Sequence, residues 1–238
     1  ETLLIDLIRD EDRRTLQLGP HAFCSVLNGW SKSKQIDAAE RAEDLLVQMQ
    51  QLYEQNRIEK PPNTICVNNV LHCWAHSNLP GAANRADRIF RSINQQEQDQ
   101  KQQEASYNND SNTSTRRQYN QNLSGRDRIR CNRIMYNTVM NAWANAGNVA
   151  RVYELYEELV EKGQLDRDFL PDIWTYKAVW KSVINSNNVQ REERHQRLQA
   201  LVKSMHDSKI QLSRDMKTDI HQIRRQLKHK NNEKGGVL

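Results

Sequence analysis

Apolar residues in this chain recur in four short runs of the same design. Phe23, Val26, Leu27 and Trp30 form the first; Val67, Val70, Leu71 and Trp74 the second; Tyr136, Val139, Met140 and Trp143 the third; Tyr176, Val179, Trp180 and Val183 the fourth. The spacing i, i+3, i+4, i+7 is one face of an α-helix, and four copies of it carry more weight than any single window. In the first three copies a small or apolar residue follows twelve positions past the tryptophan (Ala42, Ala86, Leu155), within a second apolar run: Leu45, Leu46 and Met49; Ile89, Phe90 and Ile93; Leu155, Leu159 and Val160. Leu198, Leu201, Val202 and Met205 complete the fourth copy if its intervening turn, around Asn187 and Asn188, is three residues longer.

Turn signals separate the copies: Pro61-Pro62-Asn63, Cys131-Asn132, Pro171-Asp172 and Leu212-Ser213. Proline stops the helix before it, and Asn, Asp or Ser just ahead of an apolar run offers a cap to the next one. The pattern predicts an all-α chain, an α-solenoid of helix-turn-helix repeats spanning 20–63, 64–132, 133–172 and 173–213. Residues 1–19 read as the second helix of a truncated preceding repeat, and 214–238 as a basic terminal helix and tail with Met216, Ile220, Ile223 and Leu227 at helical spacing. The tryptophans of the second and third copies stand 69 residues apart against 44 for the first pair, so an insertion falls inside 64–132. It covers about 94–128 and holds 14 Asn and Gln in 35 residues. Such a stretch buries too little apolar surface to offset its ordering entropy. The preceding helix is expected to run on into its Gln-rich part and give way to a disordered loop.

Composition narrows the function classes. At 37% hydrophobic residues, 27% charged and a mean hydropathy of −0.93, no stretch approaches the roughly 18 consecutive apolar residues of a membrane span. The net charge of +5 is uneven, with 12 Lys and Arg against 6 Asp and Glu from Asn188 onward and 23 against 24 before it. A basic end of this kind suits phosphate or an acidic partner. Cys24, Cys66, Cys73 and Cys131 form no CxxC pair and read as thiols of a reducing compartment. His72 and His76 stand one helical turn apart beside Cys73, but no Glu follows His72 and no third ligand lies at ligand spacing, so they read as polar helix-face residues. His195, His206, His221 and His229 lie among lysines and arginines. With no Gly-rich phosphate loop, no GxSxG and no oriented Cys/His arrangement, the expectation is a non-enzyme with no cofactor, metal or small-molecule substrate.

The run Met135-Tyr136-Asn137-Thr138-Val139-Met140-Asn141-Ala142-Trp143-Ala144-Asn145-Ala146-Gly147, closed by Leu170-Pro171-Asp172-Ile173, resembles a pentatricopeptide (PPR) repeat. Thr175-Tyr176 and Pro62-Asn63 look like pieces of the same motif. The segment from Ala38 to Leu46 and the recurring Trp-Ser or Trp-Ala ending resemble the longer-turn variety of algal lineages. The resemblance implies binding of single-stranded RNA, one base per repeat, read by two or three side chains. It assigns the base edge to the residue after the first-helix aromatic position and to the last residue of the repeat. Here these are Cys24 with Asn63, Asn68 with Asn132, Asn137 with Asp172, and Lys177 with Ser213. Asn with Asn and Asn with Asp match the family's pyrimidine readers, for C and U respectively, whereas Cys24 and Lys177 depart from the usual readers. The residues implied to flank each base are His21, Ile65, Ile134 and Trp174.

Residence in a mitochondrion or plastid, and work on transcript processing, stability or translation, are further implications of the resemblance. The chain opens on Glu1 inside an apolar-periodic segment and reads as a piece of something longer, so a targeting segment is neither seen nor denied. Two other readings stay open: a solenoid scaffold that binds proteins, with Asn68 and Asn137 as incidental surface groups, and a tether for an enzyme domain outside this stretch.

Overall fold

The computed structural model describes residues 20–33, 35–77, 79–108, 129–186 and 190–235. Among these the chain is all-α, with nine α-helices and one 3-10 turn. They are α1 (Pro20–Lys32), α2 (Ala38–Glu54), α3 (Thr64–His76), α4 (Ala82–Asn108), α5 (Arg133–Asn145), α6 (Val149–Leu165), the 3-10 turn Arg167–Phe169, α7 (Ile173–Asn185), α8 (Arg191–Asp207) and α9 (Arg214–Gly235). The order is a succession of helix-turn-helix hairpins, the local plan of an α-solenoid. Two compact bodies divide the chain, 1–139 and 140–238. The expected helix within 1–19, the loop at 109–128 and the turn at Asn187 and Asn188 lie outside the described residues.

In the first body, α1 packs against both α2 and α3, α2 against α3, and α3 against α4. The core consists of the residues that carry the repeat: Phe23, Leu27, Ala42, Met49, Val70, Leu71, Ala86 and Phe90 are essentially inaccessible. Phe90 meets Tyr136 edge to face, with ring centroids 4.7 Å apart. Glu43 on α2 ties this body across its elements. Its carboxylate accepts the indole N–H of Trp74 at 3.0 Å and the Nε of Arg85 at 2.9 Å, and it is also bonded to the Nη2 of Arg85. The chain entering α5 is held in the same way, since the backbone N–H of Cys131 donates to Glu97 Oε2 at 2.8 Å and that of Arg130 to Thr64 Oγ1 at 3.1 Å.

In the second body, α7 packs against α6 and α8, and α9 against α8. Val152, Leu155, Leu159, Val179, Val183, Leu198 and Met205 fill the space between them. The hydroxyl of Tyr176, a ring that is almost wholly buried, lies 3.0 Å from Ser204 Oγ and 3.1 Å from Ser208 Oγ, so the polar end of the side chain is satisfied inside the core. The 3-10 turn after α6 passes close over Gly163: a Cβ there would sit 3.2 Å from the carbonyl oxygen of Phe169, a tight contact.

Helix ends explain the hairpins. Two residues past α5 stands Gly147 at φ +74°, a conformation that costs glycine little. The N–H of Asn148 then returns to the carbonyl of Trp143, and that of Gly147 to Ala144, closing a Schellman turn. Helices α2 and α8 close the same way on non-glycine residues, Asn56 at φ 56° and Lys209 at φ 57°, with Arg57 N–H bonded to Leu52 O and Ile210 N–H to Met205 O.

Truncating the centre of the first body should be costly. Phe90→Ala is expected to lower stability by about 3–5 kcal/mol, because a buried ring is lost and the cavity closes only in part. Urea unfolding followed by tryptophan fluorescence measures it, and a loss under about 1 kcal/mol would contradict the packing described here.

Candidate nucleic-acid interface

The heads of four first helices repeat one geometry. Asn63 Oδ1 accepts the backbone N–H of Ile65 at 3.0 Å and of Cys66 at 3.1 Å. Asn132 Oδ1 accepts from Met135 at 2.9 Å. Asp172 Oδ1 accepts from Trp174 and Thr175 at 3.0 and 2.9 Å, and Thr175 Oγ1 returns the bond by accepting the N–H of Asp172, a full capping box. Ser213 Oγ accepts from Met216 at 3.5 Å, a longer and weaker version. All four residues that the resemblance placed at the end of a repeat are thus N-caps of the next helix, and each satisfies backbone donors that have no partner within the helix.

Counting from the cap gives the rest of the surface. Two residues past it stand Ile65, Ile134 and Trp174, which are 56%, 59% and 63% exposed, unusual for side chains of this size. His21, on α1, is exposed as well. Three and four residues past the cap the chain turns inward, to Cys66 and Val67, Met135 and Tyr136, Thr175 and Tyr176. Five residues past it stand Asn68, Asn137 and Lys177, all partly exposed, with Cys24 at the matching place on α1.

The partners of these side chains differ. Cys24 and Asn63 are brought together: the thiol donates to Asn63 Oδ1 at 3.8 Å, onto the oxygen that caps α3. Asn68 has its Oδ1 enclosed and without a hydrogen-bond partner. An enclosed amide oxygen without a donor costs about 1–3 kcal/mol, and such groups in a folded protein concentrate where function tolerates strain. Its neighbour Asn69 donates through Nδ2 to the carbonyl of Cys24 at 3.3 Å, which ties α3 to α1. Asn137 stands on α5 in the first body and Asp172 at the head of α7 in the second. Lys177 lies with its ammonium 4.6 Å from the centroid of the Trp174 ring, while Ser213 is engaged at the head of α9, so this pair has different local partners.

One further cation belongs to this surface and escaped the sequence reading. Lys181, one turn beyond Lys177 on α7, donates to Asn141 Oδ1 at 3.1 Å, and partial burial lowers its pKa. Helical spacing from Lys177 was the available signal for it. His72 and His76 stack with ring centroids 4.0 Å apart. Burial first, and then the charge of His76, pushes the pKa of His72 down. Among the described residues no cluster of three His, Cys, Asp or Glu is placed to hold a metal ion. No helix among them is long and apolar enough to cross a membrane.

Helical hairpins whose first helices expose an apolar residue and a polar one at fixed distances from a cap define a helical-repeat binding protein. Residues 134–164, from the start of α5 to near the end of α6, match the family model described as the PPR repeat. Residues 134–164 are thus similar to a PPR repeat, and this match supports the pentatricopeptide repeat assignment. No curated protein matches it.

Capping and recognition place separable demands on Asp172. Asp172→Ala is expected to cost about 1 kcal/mol of stability, and Asp172→Asn, which keeps a capping oxygen, only a fraction of that. Urea midpoints of the two variants decide it. Equal losses would mean that Oδ1 contributes nothing as a cap.

Proposed function

We propose that the chain binds single-stranded RNA with sequence selectivity, one nucleotide per repeat, and acts in an organelle, mitochondrion or plastid, on transcript processing, stability or translation. The observation that carries the RNA reading is the recurrence of a large exposed apolar residue two positions past the cap and a polar residue five positions past it. An apolar or aromatic platform beside a polar group is what an unstacked base requires, a face to stack on and an edge to bond. The organelle and the processing role rest on the family resemblance alone.

The caps supply a physical reason for base choice. One oxygen of each end residue is used at the helix head, and the end residues differ in their chemistry. Asn132 keeps an amide NH2, a donor, which suits a base whose ring nitrogen is an acceptor, as in C. Asp172 carries a carboxylate, with acceptors alone, which suits a base whose ring nitrogen carries hydrogen, as in U. Asn68 with Asn132 then favours C, and Asn137 with Asp172 favours U. Lys177 has donors only, so beside Trp174 it is better suited to a phosphate next to a stacked base than to an edge. Stacking contributes about 1–3 kcal/mol per base, against an association cost of at least about 4 kcal/mol, so isolated repeats bind weakly and neighbouring ones must act together.

Selection from a randomised single-stranded RNA pool tests the reading. Adjacent C and U should be enriched, and Asn68→Ala and Asn137→Ala should each weaken binding by about 1–3 kcal/mol and relax the preference at one position only. Binding without enrichment that vanishes as salt rises would reduce the interaction to phosphate contact through the basic residues. No binding at low salt would favour a protein ligand.

A further inference from the structure

Where α3 turns into α4, the first body holds a cavity of about 630 Å3. Trp74, near the end of α3, and Pro80, in the turn, form one side of it, and Asn84, Arg85, Arg88 and Arg91, on the first turns of α4, form the other. None of the cap, platform or edge residues of the candidate interface lines it. Trp74 stands six residues past Asn68, which places it about 9 Å further along the helix.

The three arginines follow one another at intervals of three residues, and side chains one turn apart on a helix are neighbours, so their charges repel. Two of the three are answered by carboxylates. Arg85 is bonded to Glu43 through Nε, at 2.9 Å, and through Nη2, and Arg91 gives its Nε to Asp87 at 3.3 Å. Arg88 is exposed and, among the described residues, makes no hydrogen bond or ion pair. Glu43, which does not itself line the cavity, also accepts the Trp74 N–H at 3.0 Å. One carboxylate therefore holds an aromatic and a cationic part of the wall in place. A guanidinium has five N–H donors, so Arg85 keeps its Nη1, Arg91 both of its Nη groups, and Arg88 its whole fork.

We propose that this cavity is a nucleotide site separate from the row of repeat positions, in which Arg88, with the remaining donors of Arg85 and Arg91, receives a phosphate while the sugar and base lie along Trp74, Pro80 and Asn84. The volume falls within the range of small-molecule sites, about 300–1,000 Å3, and a bare phosphate ion would leave most of it empty. A carboxylate occupies one guanidinium fork, whereas the three oxygens of a phosphate monoester serve several at once and relieve the repulsion among them. Asp87, which lines the cavity beside Arg91, repels an anion and so favours the Arg88 side. Two sources present this group, a free nucleoside monophosphate and the 5′-phosphorylated end of an RNA strand. The second source rests on the RNA reading above; the cavity and its charge do not.

The test uses the full chain. In ligand-observed NMR titrations the nucleoside 5′-monophosphates AMP, CMP, GMP and UMP are expected to bind the wild-type protein, and the corresponding nucleosides, which lack the phosphate, are not. Arg88→Met should weaken this binding by about tenfold or more, and Arg88→Lys, which keeps the charge but not the fork, by less. Arg88 is exposed and unbonded, so both variants should keep the urea midpoint of the wild type. Titration with a short single-stranded RNA of one sequence, with and without a 5′-phosphate, names the source. A preference for the phosphorylated strand that Arg88→Met loses assigns the RNA end, and mononucleotide binding without such a preference assigns the free ligand. The proposal is overturned if the nucleosides bind as well as their monophosphates, if Arg88→Met changes neither measurement, or if the wild type shows neither mononucleotide binding nor a preference for the 5′-phosphate. If the wild type binds neither RNA, the function proposed above fails, while the mononucleotide titration, which contains no RNA, still decides the cavity.

Discussion

The side-chain oxygen at the head of each first helix sets the frame for everything downstream. Asn63, Asn132, Asp172 and Ser213 each accept backbone N–H groups that the helix itself leaves unpaired. A cap contributes only about 1 kcal/mol, far less than the burial of Tyr136 or Tyr176. It nevertheless fixes where the helix begins, and a helix shifted by one residue turns every side chain by about 100°. At Asn63, Asn132 and Asp172 the side chains three and four residues on face inward, those two residues on are exposed, and those five residues on are partly so. Core and candidate interface are thus two readings of one phase.

This economy couples stability to recognition. The residues proposed to discriminate C from U are the ones that start the following helix, and an oxygen committed to backbone N–H groups does not also serve a base. What distinguishes Asn132 from Asp172 is the amide NH2, a donor that a carboxylate lacks. Ser213 has only a single oxygen, placed 3.5 Å from the N–H it caps, so the head of α9 has no second atom with which to discriminate.

Most of the fold was legible because the apolar pattern reports burial. Phe23, Leu27, Val67, Val70, Leu71, Tyr136, Val139, Met140, Tyr176, Val179 and Val183 are buried as their spacing requires, whereas Val26 and Trp30 on α1 are only partly so. The run of α4 into the Gln-rich segment, to Asn108, was also readable, since glutamine favours helix even where nothing is buried. Less visible were features that depend on a partner from another element. Glu43 looked like any surface acid, yet it is bonded to Trp74 and Arg85 because the turn of α2 that carries it faces both. The Schellman turns at Asn56 and Lys209 gave no glycine to announce them, and neither did the 3-10 turn after α6. Of the interface, periodicity located the positions, while the contact of Cys24 with Asn63 and of Lys177 with Trp174 needed the packing.

The departures at Cys24 and Lys177 are better understood as changes of chemistry than as decay of a motif. An amide offers a donor and an acceptor to a base edge; a thiol offers one weak donor, which Cys24 gives to Asn63, and an ammonium offers charge without an acceptor. Lys177 keeps that charge 4.6 Å from the Trp174 ring, so α7 presents a cation beside an exposed aromatic face. Attraction of this kind is indifferent to sequence and depends on salt, whereas the amides at Asn68 and Asn137 are suited to an edge. A chain with both kinds of position can hold a strand by its phosphates at one repeat and choose its bases at others, and selectivity then has to come from the helices that carry asparagine.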